Sequence, residues 1–215
     1  MLPMDFGIVN RHYKQNTNRF WYKGLQYKKR NEDSNIMEKE IVLAGGCFWG
    51  TEHFFKQFPG ILNTEVGYAN GQGSCPSYQQ VCSGVGDFAE AVKITYDPEK
   101  IHLAQILYEY FQIIDPFSVN KQGNDIGRQY RTGIYYENAG DKKVIDAIIA
   151  FAVKQAGREL AVEMLPLKNF YPAEDYHQDY LVKNPGGYCH IPRRLMSGQP
   201  LVSYELLKRE IPGIA

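Results

Sequence analysis

The sequence is short of cysteine, has no net charge and holds no long apolar run. Its four cysteines, Cys47, Cys75, Cys82 and Cys189, are too few and too scattered among 215 residues for a disulfide scaffold. The first 36 residues carry no apolar segment of the kind that starts a secretory signal. The chain is therefore expected in a reducing cytoplasm, where cysteines serve as metal ligands or reactive thiols. Twenty-four basic residues balance 24 acidic ones, so no global charge argues for nucleic acid. No apolar stretch nears the ~18 residues of a membrane span. No apolar docking stripe stands out either, so a monomer with no membrane partner is expected. What is present is a hydrophobic content of 44%, enough for the core of one domain with appendages.

Residues 1–36 are rich in Asn, Lys and Arg and lack helical or strand periodicity, which reads as a flexible basic leader. They are neither Ser-rich nor amphipathic, which argues against a transit peptide. Beyond them "EIVLA" reads as a buried strand, residues 51–58 as a short helix stopped by Pro59 and Gly60, and "ILNTEVGY" as a second strand. After the loop "ANGQGSCPS", the segment "AEAVKITY" alternates cleanly up to Asp97 and Pro98. Leu103, Ile106, Leu107, Tyr110 and Ile114 mark one face of a helix. "YRTGIYY" is another strand, residues 141–155 a helix, "AVEML" a strand and residues 172–183 a last short helix. This β-α-β-β-α-β order with an added α-β-α predicts an α+β, ferredoxin-like plait, its mixed sheet covered by helices. The catalytic domain is expected over 37–190. Gly186, Gly187 and the nearby prolines predict that the segment after Cys189, with its weak helix "SYELLKREI", packs loosely as a tail over 191–215.

The hexapeptide "GGCFWG" sets a thiol between glycines and two large aromatics. Cys47 lies past a strand and at the opening of a helix, where free backbone N–H groups and the helix dipole are expected to lower its pKa. A drop of about two units from ~8.5 makes most of the thiol anionic. With a Brønsted slope near ~0.45, however, the net rate gain is only about threefold. An acid helper is needed. In "FAEAVKITY", Glu90, Val92, Ile94 and Tyr96 share one strand face, so Glu90 reads either as a desolvated acid of raised pKa or as a strand-end charge reaching solvent. "QGNDIGRQYRT" presents Asn124, Asp125, Arg128, Tyr130 and Arg131 on a Gly-rich loop, where Asp125 either orients a ligand or caps a turn. Tyr78, in "CPSYQQVC", is one of 16 tyrosines and reads as packing or as a hydroxyl donor. Cys82 reads as a small buried residue, and Cys189 as a thiol free to swing. His177, in "EDYHQDY", is a base for a Cys-His hydrolase or a hydrogen-bonded surface residue.

Taken together, "GCFWG", "GYANG", "VCSG", "AEAVKITYDP", "QGNDIGRQYRTGIYY", "FYPAEDYHQDYL" and "NPGGYC" resemble, in this order, the A-type peptide methionine sulfoxide reductases over about residues 39–190. The resemblance implies reduction of the S epimer of methionine sulfoxide, free or in proteins. It implies Cys47 as the nucleophile that becomes a sulfenic acid, and Glu90 as the acid on the sulfoxide oxygen, aided by Tyr78 and Tyr130. Asp125 is implied in holding the substrate, and Phe48 with Trp49 in forming the pocket for its methyl group. Cys189 is implied as the resolving thiol, whose disulfide with Cys47 is reduced by thioredoxin, or by dithiothreitol in vitro. No metal, flavin or nicotinamide is implied.

Two departures stand out. Phe88 occupies the place of a common histidine in "DFAE", which is expected to raise the Glu90 pKa further, and no later cysteine follows Cys189. Cys75, in the loop before Tyr78, is the rival partner for Cys47. The alternative functions are a Cys-His hydrolase using Cys47 and His177, and a non-catalytic zinc-binding module. Because Met37 immediately precedes the first strand, 37 is expected to be a natural start and the leader dispensable; loss of activity on removing residues 1–36 refutes that.

Overall fold

Alternation along "AEAVKITY" forms the centre of the fold. In the computed structural model, which describes residues 37–196 and 198–214, this segment is β3 (Ala89–Tyr96), paired antiparallel to β1 (Lys39–Gly45) and β2 (Ile61–Ala69). The leader, and the expectations attached to it, lie outside the described residues. β6 (Thr132–Tyr136) joins β1 antiparallel, β7 (Glu163–Pro166) joins β6 parallel, and β8 (Phe170–Pro172) joins β2 antiparallel. The result is a mixed six-stranded sheet in the order β7-β6-β1-β3-β2-β8. Its inner run β6-β1-β3-β2 is the split βαβ order expected from the sequence.

Strand parity divides the sheet into two unlike faces. Leu43, Val66, Val92, Ile94 and Ile134 enter the large core that also takes in α1 (Phe48–Phe55), α3 (Leu103–Ile113) and α4 (Ala139–Ala156). On the other face Val42, Ala44, Ala89 and Ala91 form a smaller cluster with Tyr135, covered by Leu167 and Phe170. Short elements fill the connections: α2 (Tyr78–Cys82), the hairpin of β4 (Lys121–Gln122) and β5 (Asp125–Ile126), α5 (Tyr180–Lys183) and α6 (Tyr204–Glu210). Among the described residues no helix is long and apolar enough to cross a membrane.

Three local expectations are corrected. The first helix starts at Phe48, not at 51, because Cys47 takes the cap position and both aromatics fall in the first turn. The helix expected over 172–183 is confined to α5; Asp179 adopts φ 57°, and the side chain of Gln178 bonds to both backbone groups of Val66, holding the chain in turns against β2. The third correction concerns the end of the chain. Ile191, Val202, Leu207, Ile211 and Ile214 all enter the main core, so this segment is docked rather than loose. Two buried polar contacts fix it to α3: Gln105 Nε2 donates to Val202 O, and Leu201 N–H donates to Glu109 Oε1. That covering explains why every residue of α3 is buried, where the periodicity marked a single face.

Leu207, fully buried where α6 meets the core, tests the docking. Leu207→Ala is expected to cost about 2–5 kcal/mol in urea unfolding, the range for a core leucine. A loss below about 1 kcal/mol contradicts a docked segment.

Candidate active site

The site is built where β1 runs into α1 above the first residues of β3. Gly46 turns the chain with φ +83°, a conformation glycine adopts freely, and Cys47 follows at the helix cap. Phe48 N–H, left unpaired by the helix start, donates to Glu90 Oε2 at 3.2 Å. Glu90 is 1% exposed, on the helix-covered face of β3 with Val92 and Ile94, which rules out the strand-end charge. Burial pushes its pKa up to about 8; the Phe48 N–H opposes this and Asp125 adds to it. At neutral pH the carboxyl is therefore mostly protonated, and its Oε1 has no hydrogen-bond partner.

The Cys47 thiol departs from its expectation. Burial comes first and the Glu90 carboxyl second, and together they raise its pKa well above the usual thiol value. The N–H groups of Trp49 and Gly50 face the sulfur and pull the other way, as the helix-start argument anticipates, yet they do not offset the burial. The resting thiol is thus protonated and waits for a partner.

Around Glu90 the structure gathers most of the residues singled out by sequence. Tyr78 opens α2 and Tyr130 ends the turn Arg128–Tyr130; both are half-buried. Burial first and Glu90 second push both hydroxyls above the ordinary tyrosine range, so both remain proton donors. Asp125, in β5, accepts a hydrogen bond from Tyr188 Oη at 3.1 Å. Cys189 is half-buried, with its Sγ against the backbone of Gly50, one helical turn from Cys47. Phe48 is buried in the core against Tyr68 and His177, while Trp49 is partly exposed and stacks on Tyr180 with ring centroids 3.7 Å apart.

His177 and the remaining thiols are recast. His177 is 1% exposed, not a surface residue, and its Nδ1 accepts a hydrogen bond from Trp49 Nε1 at 3.1 Å. That lone pair holds an indole in place and is not free to act as a base on Cys47. Cys82 is exposed rather than buried, on the outer side of a five-residue helix, and its thiol faces the Tyr78 hydroxyl. Cys75 is also exposed. Phe88 packs on Tyr171 and fills the space over Gly71. Among the described residues no group of three or more His, Cys, Asp or Glu could hold a metal ion.

Sequence reasoning missed two residues. Glu174 accepts from Tyr78 N–H at 2.9 Å and from Tyr68 Oη at 2.7 Å, and so anchors the start of α2. Its only signal is a place inside "FYPAEDYHQDYL". His190, adjacent to Cys189, has a side chain 2% exposed and pressed against Gly46 and Gly50. Its sequence gives no signal beyond that adjacency.

The chain also matches proteins of known family. The model of the peptide methionine sulfoxide reductase family matches residues 39–203. The structure is similar to reduced Mxr1 from Saccharomyces cerevisiae, with 41% identity over 73% of this chain and 91% of that one and a TM-score of 0.68. It is also similar to methionine sulfoxide reductase A of Corynebacterium diphtheriae, with 31% identity over 74% and 85% and a TM-score of 0.66.

The buried acid carries a stability cost with a definite sign. Below its unfolded pKa of 4.5 both folded and unfolded chains keep the proton. As pH rises from there towards 8 the unfolded chain ionises and the folded one does not, so stability is lost. Glu90→Gln is expected to unfold later than wild type by on the order of 3 kcal/mol at pH 7, with the advantage vanishing near pH 4. Urea midpoints that differ by the same amount at both pH values contradict a raised Glu90 pKa.

Proposed function

The chain belongs to the peptide methionine sulfoxide reductase family and reduces methionine sulfoxide to methionine, and on that premise we propose that Cys47 is its nucleophile and Glu90 its acid. The single observation that carries the reading is the Phe48 N–H to Glu90 hydrogen bond, which holds a buried, protonated carboxyl under the helix start that presents Cys47.

Sulfoxide oxygen leaves poorly unless it is protonated. Glu90 Oε1, unpartnered in the resting site, supplies that proton, and the hydroxyls of Tyr78 and Tyr130 hydrogen-bond the same oxygen. Cys47 Sγ attacks the sulfoxide sulfur. Thiol and sulfoxide enter; sulfenic acid and thioether leave, with the sulfoxide oxygen as the hydroxyl on Cys47. Because Glu90 is neutral while it holds the proton, it exerts no charge on the thiol, and the Trp49 and Gly50 N–H groups are left to favour the developing thiolate. Trp49, fixed by His177 and Tyr180, and Phe48 form the apolar wall for the methyl group, and Asp125 holds the rest of the substrate. Protonation and wall together select the S epimer, free or within a protein.

A sulfenic acid persists only until a thiol captures it or oxidation continues. Cys189, against Gly50, is that thiol; the exposed Cys75 and Cys82 are not packed there. Thioredoxin then attacks the Cys47–Cys189 disulfide directly, since no later cysteine carries it outward. The chain acts as a monomer in the reducing cytoplasm and needs no bound cofactor.

Wild type and Cys47→Ser are to be assayed on dabsylated S- and R-methionine sulfoxide with dithiothreitol. Loss of the S epimer alone, abolished in Cys47→Ser, is expected, and turnover by Cys47→Ser sinks the nucleophile. Glu90→Gln is expected to slow single-turnover methionine formation at least ~10²-fold near pH 7. In wild type that rate should fall as pH rises through about 8, where Glu90 loses its proton. A wild-type rate that climbs steadily through that range removes Glu90 as the acid.

A further inference from the structure

Gly46 and Gly50, on either side of Cys47, are crowded by one buried imidazole. A Cβ on Gly50 would lie 3.2 Å from Cys189 Sγ and 3.2 Å from both Cε1 and Nδ1 of His190. A Cβ on Gly46 would lie 3.3 Å from His190 Nε2 and 2.7 Å from Gln122 Cβ. His190 therefore sits in a socket whose walls are Gly46 and Gly50, the two places where any side chain would push it out. Its own side chain is 2% exposed, and among the described residues neither ring nitrogen makes a hydrogen bond of full geometry, although the Gly45 backbone faces the ring. The nearest charge is Asp125 Oδ2, 4.0 Å from Nδ1. The ring is therefore kept there chiefly by contact with the two glycines.

The contact has a consequence for the neighbouring residue. Cys189 packs at the edge of the main core, and its Sγ makes a long hydrogen bond, 3.5 Å, to Ile191 O. Gly50 presents its N–H to Cys47 Sγ and its Cα to Cys189 Sγ, so the two sulfurs flank the backbone of one residue. Residues 184–188 are exposed apart from Gly187 and give the thiol little support from the other side, whereas Ile191 is buried. On the Gly50 side, the ring and the thiol lie against the same backbone.

We propose that His190 is a positioning residue for disulfide formation: lodged between Gly46 and Gly50, it holds Cys189 within a small displacement of Cys47. The proposal rests on the reading of Cys47 as nucleophile and Cys189 as resolving thiol. In the step concerned, a lone pair of Cys189 Sγ forms the S–S bond, the S–O bond of the Cys47 sulfenic acid breaks, and the departing hydroxide takes the Cys189 thiol proton and leaves as water. Oxygen transfer from the substrate, which precedes it, does not use the seat.

The two steps can be read apart in one experiment. The reduced full chain is mixed with one equivalent of free methionine S-sulfoxide and quenched over time. Methionine, dimedone-trapped Cys47 sulfenic acid and the Cys47–Cys189 disulfide are then quantified by mass spectrometry. His190→Ala is expected to release methionine at the wild-type rate while its sulfenic acid persists at least about tenfold longer, the scale of loss for a misplaced reactant. His190→Ser, which also empties the socket, is expected to delay the disulfide in the same way and keeps the test decisive if His190→Ala does not fold. Disulfide formation at the wild-type rate in the variants overturns the seat. A wild type that releases methionine without forming this disulfide overturns the assignment of Cys189 and the seat with it.

Discussion

A protonated carboxyl held under a helix start is the constraint on which the rest of this structure depends. Glu90 stays neutral because β3 carries it into the apolar face of the sheet, and it stays in place because Phe48 N–H has no other partner. Each half of that arrangement needs the other. Without burial the carboxyl would ionise and the site would hold a charge beside a thiol; without the N–H, burial would leave both oxygens unsatisfied. One oxygen is left unsatisfied in any case, and it is the one aimed at no protein group. A fold optimised for stability alone would not keep it.

The same geometry explains the composition of "GGCFWG". The aromatics occur inside the helix, not in a tight loop: Phe48 completes the core, and Trp49 lies across Tyr180 with its indole N–H tied to His177. The glycines have a different cause from the one their flexibility suggests. Gly46 is required by its positive φ, but Gly50 is an ordinary helical residue whose missing side chain is the space taken by Cys189 and His190. The hexapeptide is thus shaped on one side by the core and Tyr180 and on the other by a segment some 140 residues further along the chain.

The parts of the fold legible in the sequence are those whose periodicity has one cause. β3 was readable to the residue because alternate positions face two packed layers, one of large and one of small side chains. The burial of Glu90 was readable as one of two outcomes, since parity gives the face but not what covers it. What covers it is the start of α1, whose Phe48 N–H bonds the carboxyl, with Tyr78 and Tyr130 beside it, and none of those contacts leaves a local pattern. The same is true of α3, whose second face is buried by a segment more than 90 residues away. Cys82 and His177 were misplaced for a related reason: apolar neighbours suggested a core for a cysteine on the outside of a short helix, and polar neighbours suggested a surface for a histidine beneath an indole.

The raised pKa of Cys47 changes how reactivity must be understood at this site. A thiolate exposed at a helix start would react with any oxidant, and the intrinsic gain would be about threefold. A buried thiol kept protonated has little thiolate to offer an oxidant, because the anion is the reactive form. Selectivity then comes from coupling. On the proposed reading, only a ligand that brings an oxygen to Glu90 creates the electron-poor sulfur that the thiol attacks, beside the Trp49 and Gly50 N–H groups that favour the anion. On that reading reactivity belongs to the complex and not to the cysteine, and the two sulfurs, on either side of the Gly50 backbone, wait without reacting until the substrate oxidises one of them.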